Sequence, residues 1–196
     1  MGWKAFSLAT LILCSCSASS SPPHSQRMEV GYRDNRGADH TKVFTVEIDL
    51  PVRVSPAPWT ATLAETGCQG QEGRTLVLTN AEHRSAQVGD ACAWFDKLGE
   101  TSPDGQYLVA WAPTDGAASE IHLVALTASP ADVVTVPHSI SVDYVATWTK
   151  DGRVWFTSDE SPPSSTSRLF SYAPVSHRQD SMPVGNAILI RSARTL

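Results

Sequence analysis

The chain reads as an all-β protein, and three observations carry that reading. Runs of four to eight residues rich in Val, Ile, Thr and aromatics recur along it, each bounded by Gly, Pro, Asp or Ser. No segment beyond the N-terminal leader keeps a convincing helical period of 3.6. Gly and Pro, 12 and 13 of the 196 residues, are spread along the chain without a period, which suggests many turns and excludes collagen. Hydrophobic residues make up 41%, enough for a packed core, and charged residues only 18%, which argues against a disordered chain or a coiled coil. A net charge of −5 excludes a non-specific nucleic-acid binder.

The first element is a leader. Lys4 supplies a positive n-region, and Ala5 to Leu13 is a nine-residue, mostly apolar run. A membrane-spanning helix needs about 20 residues, so this run has the length of a signal-peptide core instead. Leu13-Cys14-Ser15-Cys16 resembles the lipobox of bacterial lipoproteins, with Cys14 standing where Ala, Ser, Thr or Val is usual. The resemblance implies a signal peptide over residues 1–15, diacylglycerol on the Cys16 sulfur, cleavage before Cys16 and acylation of the new amine. Two or three acyl chains would hold the protein on a membrane, each buried methylene contributing about 0.8 kcal/mol. Ser17 after Cys16 resembles the outer-membrane sorting pattern of Gram-negative lipoproteins. The alternative is an ordinary secreted protein cut after a small residue such as Ala18. Residues 16–28 are Ser- and Pro-rich and read as a flexible lipid-anchored tether, which places the folded domain at 29–196.

Of four cysteines, Cys14 leaves with the leader and Cys16 carries lipid. Cys68 and Cys92 remain, an even number in an exported domain, and a disulfide between them is expected. It would close a loop of about 25 residues, a stabilisation of about 3 kcal/mol in the chain-entropy model. Two separate buried thiols are the alternative. No Cys-x-x-Cys exists, so neither a redox motif nor a zinc knuckle is indicated.

Nine strands are expected: 42–49, 74–79, 106–111, 120–126, 132–136, 143–148, 153–158, 168–173 and 187–191. Residues 81–98 are the one possible helix, weakened by Gly89 and the β-formers Trp94 and Phe95. Trp94, Trp111, Trp148 and Trp155 fall in strand regions and are expected in the core.

Two turns look alike. Ser102-Pro103-Asp104-Gly105 has Pro at the second position, which fixes φ, and Gly at the fourth. Thr149-Lys150-Asp151-Gly152 follows 47 residues later, and each turn leads into an apolar strand and then a second one, at Glu120 and Arg168. These segments resemble TolB-type (WD40-like) β-propeller repeats, with Thr101 where the first copy would carry Trp and Lys150 where the second would carry Pro. Residues 71–78 are a candidate degenerate third copy. The resemblance implies antiparallel blades of about 47 residues. About four fit the domain, so the expectation is a minimal propeller, a partial one completed by association, or an unclosed β-sandwich. Gly105 and Gly152 are expected at positive φ, whereas Gly116 lies in a looser polar loop.

Chemistry is scarce. No nucleophile elbow, zinc-protease, SxxK, dinucleotide or Walker motif occurs, and the six histidines are isolated. No enzyme activity, cofactor or metal is therefore expected. Asp34, Asp39 and His40 share a loop but lack calcium-loop spacing and read as solvated. From Leu98 to Thr149 there is no Lys or Arg, while four arginines follow residue 160. Acids placed in turns account for most of that pattern. Since TolB-type propellers bind partner proteins or peptides, the expected function is a lipid-anchored binding or scaffold module of the cell envelope. The alternative is the non-catalytic propeller portion of a hydrolase system related to prolyl-oligopeptidase-like enzymes.

Overall fold

A computed structural model describes residues 24–68, 71–88, 94–114, 116–126, 132–159, 167–185 and 187–196, with no description of the side chains of 66–68, 71, 72 and 188. The leader, Cys16, Cys92 and the Cys68 side chain lie outside the described residues, and so therefore do the expected lipidation and disulfide.

Fourteen strands and no helix occur among the described residues, arranged in four small antiparallel sheets, none of which closes on itself. Sheet I holds the hairpin β1 (His24–Asp34) and β2 (Asp39–Ile48), with the last strand, β14 (Ala187–Thr195), on the other side of β1. Sheet II runs β3 (Trp59–Cys68), β4 (Gln71–Asn80), β5 (Ser85–Val88). Sheet III runs β6 (Lys97–Thr101), β7 (Tyr107–Pro113), β8 (Ser119–Ala125), β9 (Val133–Thr135). Sheet IV runs β10 (Ala146–Trp148), β11 (Val154–Thr157), β12 (Arg168–Ala173), β13 (Arg178–Pro183). The strands β3, β6, β10 and β14, each at one edge of its sheet, carry contacts between sheets: β3 with β6, β6 with β10, and β10 with β14.

Three apolar layers set the order of the sheets as II, III, IV, I. Leu76, Leu78 and Val88 of sheet II pack with Leu108, Ala110 and Val124 of sheet III. The other face of sheet III, with Val109, Trp111, Ile121 and Leu123, packs on Trp148, Val154 and Phe156 of sheet IV. The far face of sheet IV, with Trp155 and Leu169, packs on Met28, Val30, Val46 and Ile190 of sheet I. Sheets III and IV are thus covered on both faces. Their strands read as continuous apolar runs, since successive side chains point to opposite faces and both faces are dry. Sheet I is covered on one face only, and in β1 buried Gln26, Met28 and Val30 alternate with more exposed residues. Its outer face is charged and carries the pairs Arg33–Asp39 and Arg194–Glu29.

All nine expected strands are present, all but β12 (168–173) with shifted ends, and five more join them. The tether boundary needs correction. Residues 24–28 belong to β1 rather than to a tether: Met28 is a fully buried core residue and Gln26 is buried with it. The possible helix over 81–98 is not formed in its described parts: 85–88 is β5, and Lys97 and Leu98 open β6. Residues 71–78 are not a third hairpin turn. They run inside β4, with Gly73 paired to Thr66. Trp111, Trp148 and Trp155 are buried, but Trp94 lies outside the strands and is exposed. The loop around Asp34 is not simply solvated. Asp34 is buried; its Oδ1 accepts the N–H groups of Arg36 and Ala38, and its Oδ2 lies 2.9 Å from His40 Nε2. The His40 contact and these backbone bonds hold its carboxyl below the usual range.

Candidate functional site

The two look-alike turns share a core of hydrogen bonds, although the first closes through the Ser102 N–H to the Tyr107 carbonyl and the second through the Thr149 N–H to the Arg153 carbonyl. Gly105 N–H donates to the Ser102 carbonyl at 2.9 Å, and Gly152 N–H to the Thr149 carbonyl at 2.9 Å. The Ser102 hydroxyl reaches Asp104 Oδ1 at 2.6 Å, and the Thr149 hydroxyl reaches Asp151 Oδ1 at 2.6 Å. The same carboxylate oxygens then receive the N–H groups of Gln106 and Arg153. Each Asp therefore ties the start of its turn to the first residue after it, which is how a short polar side chain fixes a tight turn. Gly105 has φ +70° and Gly152 φ +78°, conformations that a Cβ disfavours. Gly116 is also at positive φ, +134°, so its loop is not free of that constraint. Pro103 and Lys150 both present their carbonyls outward, and residues 49–58, the crossing from sheet I to sheet II, run over both turns. Val52 N–H donates to the Lys150 carbonyl at 2.8 Å, and Ser55 N–H to the Pro103 carbonyl at 3.0 Å.

The second turn leads directly into a cleft. Arg153 follows Gly152, and its guanidinium is buried against the fully buried Asp151, with Nε 2.7 Å from Oδ2. Burial alone would raise the Asp151 carboxyl, but the Thr149 hydroxyl, the Asp49 N–H and Arg153 together bring it below its ordinary value. Arg153 also donates to the Glu47 carbonyl at 3.1 Å and lies 3.8 Å from Asp49 and 3.7 Å from Asp180. These contacts join β2 to sheet IV across a concavity of about 470 Å³. Val46, Ile48, Trp155 and Met182 give it apolar walls; Glu47, Asp49, Arg178 and Asp180 give it a charged rim. Its flanks β2 and β13 are both edge strands.

Register explains how these residues meet. Trp155 on β11 pairs with Ser171 on β12, which pairs with Asp180 on β13, so the three form a row on the face turned to sheet I. Trp155 Nε1 and Ser171 Oγ are buried there with no hydrogen-bond partner. An unsatisfied buried polar group costs about 1–3 kcal/mol, and two side by side are unusual enough to mark the place. The sequence carried a trace of this row. Arg153 opens an otherwise apolar strand, and β13, too polar to be recognised as a strand, brings Arg178 and Asp180.

The cleft's buried cation, Arg153, is engaged by carboxylates. A second polar cluster lies elsewhere: the Ser119 hydroxyl donates to Asp96 Oδ2 at 2.6 Å, with the Tyr144 hydroxyl 3.4 Å from the same oxygen. Ser119 is buried there, and the bond joins β8 to the approach to β6. His122 Nε2 lies 2.8 Å from Glu120 Oε1. Among the described residues no group of three or more metal-ligating side chains occurs. No family model matches the chain, and no curated protein matches it in sequence.

Proposed function

We propose that this chain is a lipid-anchored binding module of the cell envelope, exported and held through Cys16 at the outer membrane, where it takes a protein or peptide partner in the cleft between β2 and β13. The observation that carries the binding reading is the cleft itself: a concavity of about 470 Å³ between two edge strands, with apolar walls, a charged rim and two unsatisfied polar groups in the adjoining core. Mixed walls of this kind, with a few fixed polar groups, are typical of ligand sites. The four sheets with contacting edge strands, and the two similar turns 47 residues apart, support the propeller-type frame.

The binding reading is tested on an array of immobilised 12-residue peptides probed with residues 17–196. Asp180→Arg reverses the charge at the rim and adds bulk. Peptides retained by the native domain and weakened at least tenfold by the variant, at unchanged thermal stability, support the cleft. Equal retention by both, or no retention, removes it. The anchor is tested separately by fractionating cells that express the Cys16→Ala variant. Membrane association is expected to be lost; if native and variant protein stay equally bound, lipid on Cys16 is not the anchor.

A further inference from the structure

The two ends of the sheets differ in what they show to solvent. One end carries His24, the 49–58 strap and the turns at 102–106, 149–153 and 174–177. The strap bonds to both look-alike turns, and Gln26 Oε1 accepts the Lys150 N–H at 2.8 Å, so sheets I, III and IV share this end. The 174–177 turn joins it because Val154, just after the second turn, pairs with Tyr172, just before the third. The strap's N–H groups at Val52 and Ser55 face the turns, while Leu50 and Val54 point away, 73% and 80% exposed. Val175 at the tip of the third turn is 84% exposed. These are the three most exposed large apolar side chains among the described residues, and all sit at one end. Arg53 and Lys150 are exposed beside them.

We infer that this end rests on the lipid bilayer, with Leu50, Val54 and Val175 in the headgroup region and Arg53 and Lys150 toward anionic headgroups. The inference rests on the proposed lipid at Cys16. Only residues 16–23 separate that lipid from His24, so the leash spans at most about 28 Å. His24 opens β1 and pairs with Ile48, the last residue before the strap segment. The opposite end of β1, Asp34, is ten residues on and about 33 Å away. A leash that leaves at the strap end and is shorter than the strand cannot bring the far end to the membrane. It does hold the strap end there. Exposed apolar side chains with cationic neighbours suit such an interface. Asp49 at the same end is drawn toward Arg153, 3.8 Å away, and Asp151 is buried against that arginine.

The test uses the full lipidated protein on vesicles of phosphatidylethanolamine and phosphatidylglycerol at three to one. Hydrogen exchange is followed at Leu50, Arg53, Val54 and Val175, against the soluble Cys16→Ala protein. At least tenfold slower exchange is expected at these amides on vesicles, with no change at Arg36 and Gly185 at the opposite end. The double variant Leu50→Asp, Val54→Asp should stay on vesicles through its lipid but lose the slowing, and both positions are exposed enough for it to fold. Protein that floats with vesicles but shows no slowing at the strap, or shows it at Arg36 and Gly185, overturns this orientation and leaves the anchor standing. Protein that carries no acyl chain on Cys16 and does not float overturns the anchor and the orientation with it.

Discussion

The turns 102–105 and 149–152 share a positive-φ glycine and an Asp that bonds the turn's first hydroxyl, yet they are stabilised by different neighbours. The second is an electrostatic joint. Its Asp151 is buried against Arg153, which reaches on to β2 and toward β13. The first has no such cation. Gln106 stands where Arg153 stands, and Asp104 makes only local bonds. What the first turn has instead is close backbone packing. A Cβ on Gly105 would lie 2.7 Å from the Ser55 carbonyl oxygen and 2.9 Å from Ala57 N, whereas one on Gly152 would meet only the Val52 side chain, at 3.4 Å. The two turns share a glycine conformation while their support varies with what lies beside each.

The largest expected effect separates the turns through their acids. Asp151→Ala strands Arg153 in a buried site, and removing one partner of such a pair costs about 3–5 kcal/mol. Asp104→Ala loses local hydrogen bonds worth about 1 kcal/mol. Urea melts of the two variants should differ by that margin; equal losses would mean the Arg153 pair adds nothing. The sign with pH follows from the lowered Asp151 carboxyl. Its contribution is fully present above the unfolded value, about 4, and is lost as pH falls through the lower folded value. The gap in stability between native protein and Asp151→Ala should therefore shrink on acidification below about pH 4, and a gap constant from pH 7 to 2 would sever the link.

The glycines sharpen the contrast in the other direction. Gly152→Val should cost about 1–2 kcal/mol through backbone strain. Gly105→Val should cost more, about 3 kcal/mol, because strap backbone must also move. Gly116→Val, at positive φ in open space, is the measure of strain without crowding. Equal losses at 105 and 152 would show that the strap yields freely. A small effect is expected at Ser102. Its hydroxyl oxygen accepts from Gln106 and Tyr107 N–H while its proton goes to Asp104, so Ser102→Ala should cost about 1–2 kcal/mol in the same melts.

The legible part of the fold was its middle. Strands such as β7 and β11 are dry on both faces, so their sequences are apolar throughout and stand out. The five strands not foreseen are β1, β3, β5, β6 and β13. Most of them lie at sheet edges or in sheets covered on one face, where polar residues dilute the pattern; β13 reads RQDSMP. The turns were legible because Pro, Asp and Gly act locally. The cleft was not, since Glu47, Arg153 and Asp180 meet only through strand register and the packing of sheet I on sheet IV. Nor was the start of the fold: Gln26 and Met28 sit in a stretch whose composition is that of a linker, and only their burial places it in a strand.

Sheet I also has a mechanical side. β1 is its central strand, held on one side by β2 and on the other by β14 from the far end of the chain. A pull applied through residues before His24 acts along β1. Force in that direction loads the ladders on both sides in shear, many bonds at once, where a pull across an edge strand would peel bonds one after another. Tension on the leash thus meets the chain at its most resistant geometry. Replacing Met28, the buried residue midway along that strand, with Ala should lower the unfolding force in single-molecule stretching between residue 24 and Gly185, at the far end of the β1–β14 ladder, more than Val43→Ala on the exposed face does.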